Sequence, residues 1–166
     1  MDRIGYELYS KLLKESLGEK KVEKDIDLQI KMNAYIPEMY IGSQSSRLDC
    51  YKQIAEISGE EDRERIYWSL VENYGKVPVE VENLILIAQL KLAVKGRGGV
   101  KIVLNGKEAL VEFDGLESFN DSAFIDKIEK NKQTVTFSVG ASPRLIFKID
   151  GRKVEEVARQ MLEVFS

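Results

Sequence analysis

Residues 43–78, SQSSRLDCYKQIAEISGEEDRERIYWSLVENYGKVP, carry the reading of the fold. They predict two helices in succession. In the first, Leu48, Tyr51, Ile54 and Ala55 fall three and four apart and share one face; in the second, Ile66, Tyr67, Leu70, Val71 and Tyr74 do the same. Gly59 and Gly75 are read as their stops. Ser43 offers a hydroxyl to the free amides of the first helix, and Ser58 to those of the second, where Glu60, Glu61 and Asp62 complement the positive end. Pro78 opens a third helix. Nothing in this stretch has the form of a catalytic motif, so it predicts a scaffold with an acidic, solvated face.

Upstream, the period changes. Ile26, Leu28, Ile30, Met32 and Ala34 alternate with Asp27, Gln29, Lys31 and Asn33, the pattern of a half-buried strand that Pro37 ends. Residues 2–17 predict an amphipathic helix with Ile4, Leu8, Leu12 and Leu13 on one side, and residues 19–24 a charged hinge. Downstream, residues 79–95 are apolar on more than one face: Val81, Leu84, Ile85, Ala88 and Leu92 form the main stripe, with Ile87 and Leu90 beside it. That predicts a central helix. KGRGG (residues 95–99) lacks the Gly-Lys-Ser/Thr ending of a phosphate loop and reads as a helix-to-strand turn.

The second half predicts two hairpin-plus-helix units. Val100, Ile102 and Leu104 alternate, Asn105-Gly106 turns the chain, and Ala109, Val111 and Phe113 return. Asp121 or Asn120 caps a short helix with Phe124, Ile125 and Ile128. Val135, Phe137 and Val139 then face Leu145, Phe147 and Ile149 across GASP (residues 140–143). Asp150 is read as the cap of a last helix striped by Val154, Val157, Ala158, Met161, Leu162 and Phe165. The expectation is α+β: a helix-rich first half, antiparallel hairpins with helices in the second, one compact domain over 25–166 and a helical connector over 1–24.

Composition narrows the function. The 166 residues are 43% hydrophobic, and 25 Lys and Arg stand against 28 Asp and Glu, a net charge of -3 that disfavours phosphate contact by the domain as a whole. Without histidine, the commonest general base and nitrogen metal ligand are missing. Cys50 is alone, lacks a basic activator, and fits a reducing cytosol as a buried thiol. Glu60, Glu61, Asp62 and Glu64 are dense enough for a divalent cation, but their spacing matches no known loop and a first helical turn explains them. Arg47, Tyr51 and Lys52 could stack a base and hold a phosphate; the preferred reading lays the guanidinium over the ring. Trp68 sits one position off its helix's stripe, either exposed for a protein contact or packed inside. No apolar run is long enough to cross a bilayer, so a cytoplasmic, non-enzymatic domain without cofactor, metal or membrane partner is expected.

RLDCYKQI (residues 47–54), NYGKVP (73–78) and LILIAQLKLAVK (84–95), in this order, resemble the C-terminal domain of the bacterial transcription-repair coupling factor family. GYELYSKLL (5–13) and YIPEMYI (35–41) are similar to the segments leading into that domain. The resemblance covers nearly the whole chain. It implies a regulatory piece of a DNA-translocating ATPase, with ATP and Mg²⁺ confined to a motor that is not in this sequence, and Met1 as an internal or added residue. It further implies a domain that covers the UvrA-binding surface of a UvrB-like N-terminal module, with UvrA and RNA polymerase as indirect partners and DNA reached through the motor. The family's clamp uses acids on the helix before the aromatic-Gly turn; the match is Glu72, with Asn73, Trp68 and Arg65 around it, while Ser69 stands where a further acid can occur. The alternative is a DNA- or polymerase-contacting module using Lys20, Lys21, Lys24, Arg97 and Lys101.

Overall fold

The computed structural model describes residues 25–166. The helix predicted over 2–17, the hinge at 19–24 and the connector at 1–24 lie outside the described residues. By their contacts the others form two compact units, Asn33–Gln89 and residues 25–32 with Leu90–Ser166.

The first unit is helical. Helix α1 is Gln44–Ala55, α2 is Glu60–Tyr74, and α3, Val79–Gly96, begins here and runs on into the second unit. Ser43 caps α1, its Oγ accepting the Ser46 N–H at 3.3 Å. The helix stops at Ala55 rather than at Gly59: the Glu56 N–H already closes on the Lys52 carbonyl at 3.0 Å, so no glycine is needed. Ser58 also departs from expectation. Its N–H and hydroxyl both donate to the Asp62 carboxylate, at 3.0 and 2.5 Å, so the acid does the accepting and Gly59 occupies the cap position. Gly75 ends α2 as predicted; at φ 87° it takes a conformation that favours glycine, and its N–H reaches the Val71 carbonyl at 2.9 Å.

Two tyrosine hydroxyls fasten the segment before α1 to these helices. Tyr51, buried on α1, accepts the Ile36 N–H at 2.9 Å. Tyr40 Oη lies 3.1 Å from the Leu70 carbonyl and 3.0 Å from that of Gly75, at the end of α2. Burial raises both phenols above their ordinary pKa.

In α3, every residue from Val81 to Lys91 except Glu82 and Gln89 is buried, as a central helix requires. Leu92 breaks the predicted stripe and is 40% exposed. The Asn83 amide donates to the Asn33 carbonyl at 2.9 Å.

The second unit is built on a sheet of order β1-β2-β3-β5-β4, with β1 Asp27–Ile30, β2 Gly99–Leu104, β3 Ala109–Phe113, β4 Val135–Ser138 and β5 Arg144–Phe147. The alternation upstream of Pro37 assigned the faces well, since Ile26 and Ile30 are buried and Asp27 and Gln29 exposed. Only four residues pair, however, and they pair parallel to β2, so the sheet is mixed rather than wholly antiparallel. The chain reaches β2 only after three helices, and such a long crossover permits parallel pairing. Lys91 Nζ meets the Asp25 carboxylate at 2.9 Å just before β1, compensating a largely buried ammonium whose pKa burial lowers.

Both predicted hairpins form, with local differences. Residues 105–108 make the first turn through the Asn105 side chain, whose Oδ1 accepts the N–H groups of Lys107 and Glu108 at 2.8 and 2.9 Å. Val100 is the extra residue of a bulge and is exposed instead of alternating inward. Phe137 and Val139, at the open edge beyond β5, are exposed too. Asp121 caps α4, Ser122–Lys130, by accepting the Ala123 N–H at 3.0 Å. Asp150 does not cap α5, Val154–Phe165: it sits at φ 44° in the preceding turn, and Lys153 is the cap residue. Val164 replaces Leu162 among the fully buried positions of α5. Phe113, Phe124 and Phe165 close the core, with centroids 5.4 to 6.4 Å apart.

Gly99 is where the backbone comes closest. A Cβ there would stand 2.2 Å from Val94 Cγ1 and 3.0 Å from the Val94 carbonyl oxygen, so Gly99→Ala should lower stability by about 1–3 kcal/mol in urea unfolding. Tyr51→Phe, which leaves the Ile36 N–H without its buried acceptor, should also cost about 1–3 kcal/mol by the same measurement.

Candidate protein-contact face

Helix α2 turns Ile66 and Leu70 inward and leaves a polar outer side. On that side Arg65, Trp68 and Glu72 follow at helical intervals of three and four, and all are exposed. The structure therefore brings three of the four predicted contact residues into one strip, with Asn73 adjoining it. Trp68 is 62% exposed, so it is not packed inside. Its ring stands edge-on to Tyr67 with centroids 5.4 Å apart, a stiff apolar projection in a charged surrounding. The Asn73 amide donates to the Ser69 carbonyl at 2.8 Å and approaches the Ser69 hydroxyl at 3.3 Å, so Ser69 and Asn73 act as a unit. Glu72 has no ion-pair partner among the described residues.

At the start of α2 the charges are mutually engaged. Arg63 donates to Glu60 at 2.7 Å and Arg65 to Asp62 at 3.1 Å. Hydrogen bonds from the Ser58 hydroxyl, and next from Arg65, hold the Asp62 carboxyl at a pKa of about 2.

The other sequence candidates fare differently. Arg47 does not lie over Tyr51: its guanidinium donates to the carbonyls of Ile41 and Gly42 at 2.9 and 3.0 Å. Tyr51 is buried, so that trio offers no stacking platform for a base. Cys50 is buried and its thiol is pushed up to about 12, far from a working nucleophile. Arg97 lies over the Phe124 ring, 4.7 Å from its centroid, and pairs with Asp121; Lys101 faces Glu112 at 3.7 Å. Lys20, Lys21 and Lys24 lie outside the described residues. No helix among the described residues is long and apolar enough to cross a membrane.

Sequence reasoning missed two further exposed apolar side chains. Met39 is fully exposed, and Tyr74, read as part of the inward stripe, is 42% exposed with its ring 5.7 Å from that of Tyr40. The available signal was Gly75: a helix that stops one residue later leaves its last aromatic poorly covered.

The family model of the TRCF domain matches residues 30–124, from β1 through α1, α2 and α3 into α4. The chain belongs to the TRCF domain family. Among curated relatives, the transcription-repair-coupling factor of Bacillus subtilis is 28% identical over 134 residues, covering 72% of this chain and 11% of that protein. That of Buchnera aphidicola is 29% identical, with 76% and 17% covered. The Escherichia coli protein is 25% identical, with 98% and 15% covered. The chain thus spans under a fifth of these relatives. A crystal structure of the C-terminal domain of transcription-repair coupling factor shares the α+β fold at a TM-score of 0.74, with 19% identity and coverage of 87% of this chain and 91% of that one.

The Asp62 contacts predict a pH dependence of stability. A carboxylate lowered on folding from 3.8 to about 2 contributes stability that is complete above 3.8 and is lost as the pH falls through about 2. Asp62→Asn should flatten the stability profile in that window while leaving the slope at neutral pH unchanged; unfolding midpoints across the window check this.

Proposed function

We propose that this chain is a regulatory, non-catalytic domain of a transcription-repair coupling translocase, and that it covers the UvrA-binding surface of a UvrB-like N-terminal module in the same protein. The observation that carries this reading is the strip on α2: a projecting, 62% exposed Trp68 flanked by Arg65 and by Glu72, which has no ion-pair partner among the described residues, in a member of the TRCF domain family. An exposed aromatic ringed by polar groups is the form of an interface anchor. Catalysis finds little purchase here, since the chain has no histidine and the one cysteine is buried.

The mechanism is autoinhibition by competition. A tethered domain meets its partner surface at an effective concentration of roughly millimolar, so a modest contact excludes a free competitor. A modest rearrangement in the motor then releases it. Mask and release need no chemistry in this domain; ATP and Mg²⁺ belong to the motor, and RNA polymerase and DNA are engaged elsewhere in the parent protein. The alternative of a DNA- or polymerase-contacting module draws less support, because Arg97 and Lys101 already face acidic partners.

Titration of the chain against the UvrB-like module of its parent tests the reading. Saturable binding competed by UvrA is expected, weakened by about tenfold or more in Glu72→Arg. Absence of binding even when the two modules are joined by a short linker contradicts it.

A further inference from the structure

We propose that the free edge of β4 pairs antiparallel with the same edge of a second copy of this chain, giving a weak two-fold dimer centred on Phe137. The inference is independent of the masking reading and rests on the second compact unit alone. Among the described residues β4 is the last strand of the sheet, so one of its sides has no strand neighbour. The ladder decides which backbone groups remain there. The Phe113 N–H donates to the Pro143 carbonyl at 2.9 Å, and the register then commits the backbone groups of Leu145 and Phe147 to β3. Those of Arg144 and Ile146 are left for Ser138 and Thr136, as the Lys148 N–H on the Thr134 carbonyl at 2.8 Å also requires. Phe137, opposite Leu145, therefore points both its N–H and its carbonyl away from the sheet. The Val135 N–H is taken by the Asn131 carbonyl at 2.9 Å, so Phe137 is the middle of what stays open.

Nothing on this edge resists pairing. Residues 134–139, TVTFSV, hold no charge and no proline in a chain that is 32% charged, and β4 runs beside β5 without a bulge. Charges, prolines and bulges are what blunt a sheet edge against further strands. The opposite edge shows the contrast: β1 carries Asp27, with Asp25 before it and Lys31 after it. On β4 the side chains that meet solvent include apolar ones. Phe137 is 40% exposed, its ring 4.6 Å from that of Phe119, and Val139 just beyond it is 56% exposed.

The sequence of the edge selects its occupant. About a two-fold axis at Phe137, that residue faces the partner's Phe137, Val135 faces the partner's Val139, and Thr136 faces the partner's Ser138. The first two pairings are wholly apolar and fall on the side of the sheet where Val135, Leu145 and Phe147 are buried. The third falls on the other side and joins small hydroxyl side chains. In this register the Phe137 N–H of each copy donates to the Phe137 carbonyl of the other, and no charge is set against a like one. An edge that matches itself on both faces is the self-complementary patch that a two-fold contact needs. So short a contact stays below the roughly 1,200 Å² that separates transient interfaces from stable ones, so the dimer forms and separates with concentration.

The test follows the 166-residue chain by sedimentation velocity from about 10 μM to about 1 mM. The apparent mass should rise from 18.9 kDa toward twice that value. Over the same range, exchange of the Phe137 amide with solvent should slow by about threefold or more, a reading that needs no substitution. Two charged chains then examine the register, one with Thr136→Lys and Ser138→Lys, the other with Thr136→Glu and Ser138→Glu, and unfolding midpoints verify that each folds. Each alone should stay a single chain, and their mixture should dimerise, because the axis sets position 136 against the partner's position 138. A mass of one chain throughout the range, or Phe137 exchange that does not change with concentration, overturns the proposal. So does a dimer that survives unchanged in either charged chain, or a mixture of the two folded chains that fails to associate.

Discussion

A helix whose side chains are buried at nearly every position between Val81 and Lys91 has to be enclosed, and the rest of the structure depends on that requirement. Helix α3 contributes to both compact units, its first part to Asn33–Gln89 and its last to Leu90–Ser166. Its two buried polar side chains are both tied to the chain near β1: Asn83 donates to the Asn33 carbonyl, and Lys91 meets Asp25. Leaving the Asn83 N–H or the Lys91 ammonium without these partners would cost on the order of a few kcal/mol, so each bond holds its own stretch of chain to the helix. Packing dictates the scaffold, and α1 and α2 are left free on their outer sides.

That freedom is what the contact face uses. The end of α2 is secured from within, by Gly75 and by the Tyr40 hydroxyl on the Leu70 and Gly75 carbonyls, so the outer strip does not have to stabilise the helix. Trp68 can then project without cost to the core, and Glu72 shares its charge with no ion-pair partner among the described residues. A rigid helix carrying an aromatic anchor and loosely engaged charges is suited to reversible recognition, in which the energy of contact must stay small enough to be overcome by a competing rearrangement.

The sequence was most legible where periodicity and burial agree. The alternation of residues 26–34 identified the buried positions of β1 correctly, and the many-sided apolar pattern of α3 marked it as central. Parallel pairing of β1 was hidden, because strand direction depends on the three intervening helices and leaves no trace in a period of two. Local cap chemistry was half legible: Ser43 and Asp121 act as predicted, whereas Ser58 donates to Asp62 instead of accepting, and Asp150 occupies a left-handed turn. The strip of Arg65, Trp68 and Glu72 was visible as helix spacing once family resemblance drew attention to it.

The central claim is that the α2 strip meets another part of the parent protein. A photo-crosslinking amino acid at position 68 of the full-length parent reads that contact directly. The account predicts a cross-link to the UvrB-like N-terminal module in the resting protein, lost when the motor engages DNA with ATP. A cross-link that goes only to DNA or RNA polymerase, or one to the module that persists unchanged during translocation, would contradict it.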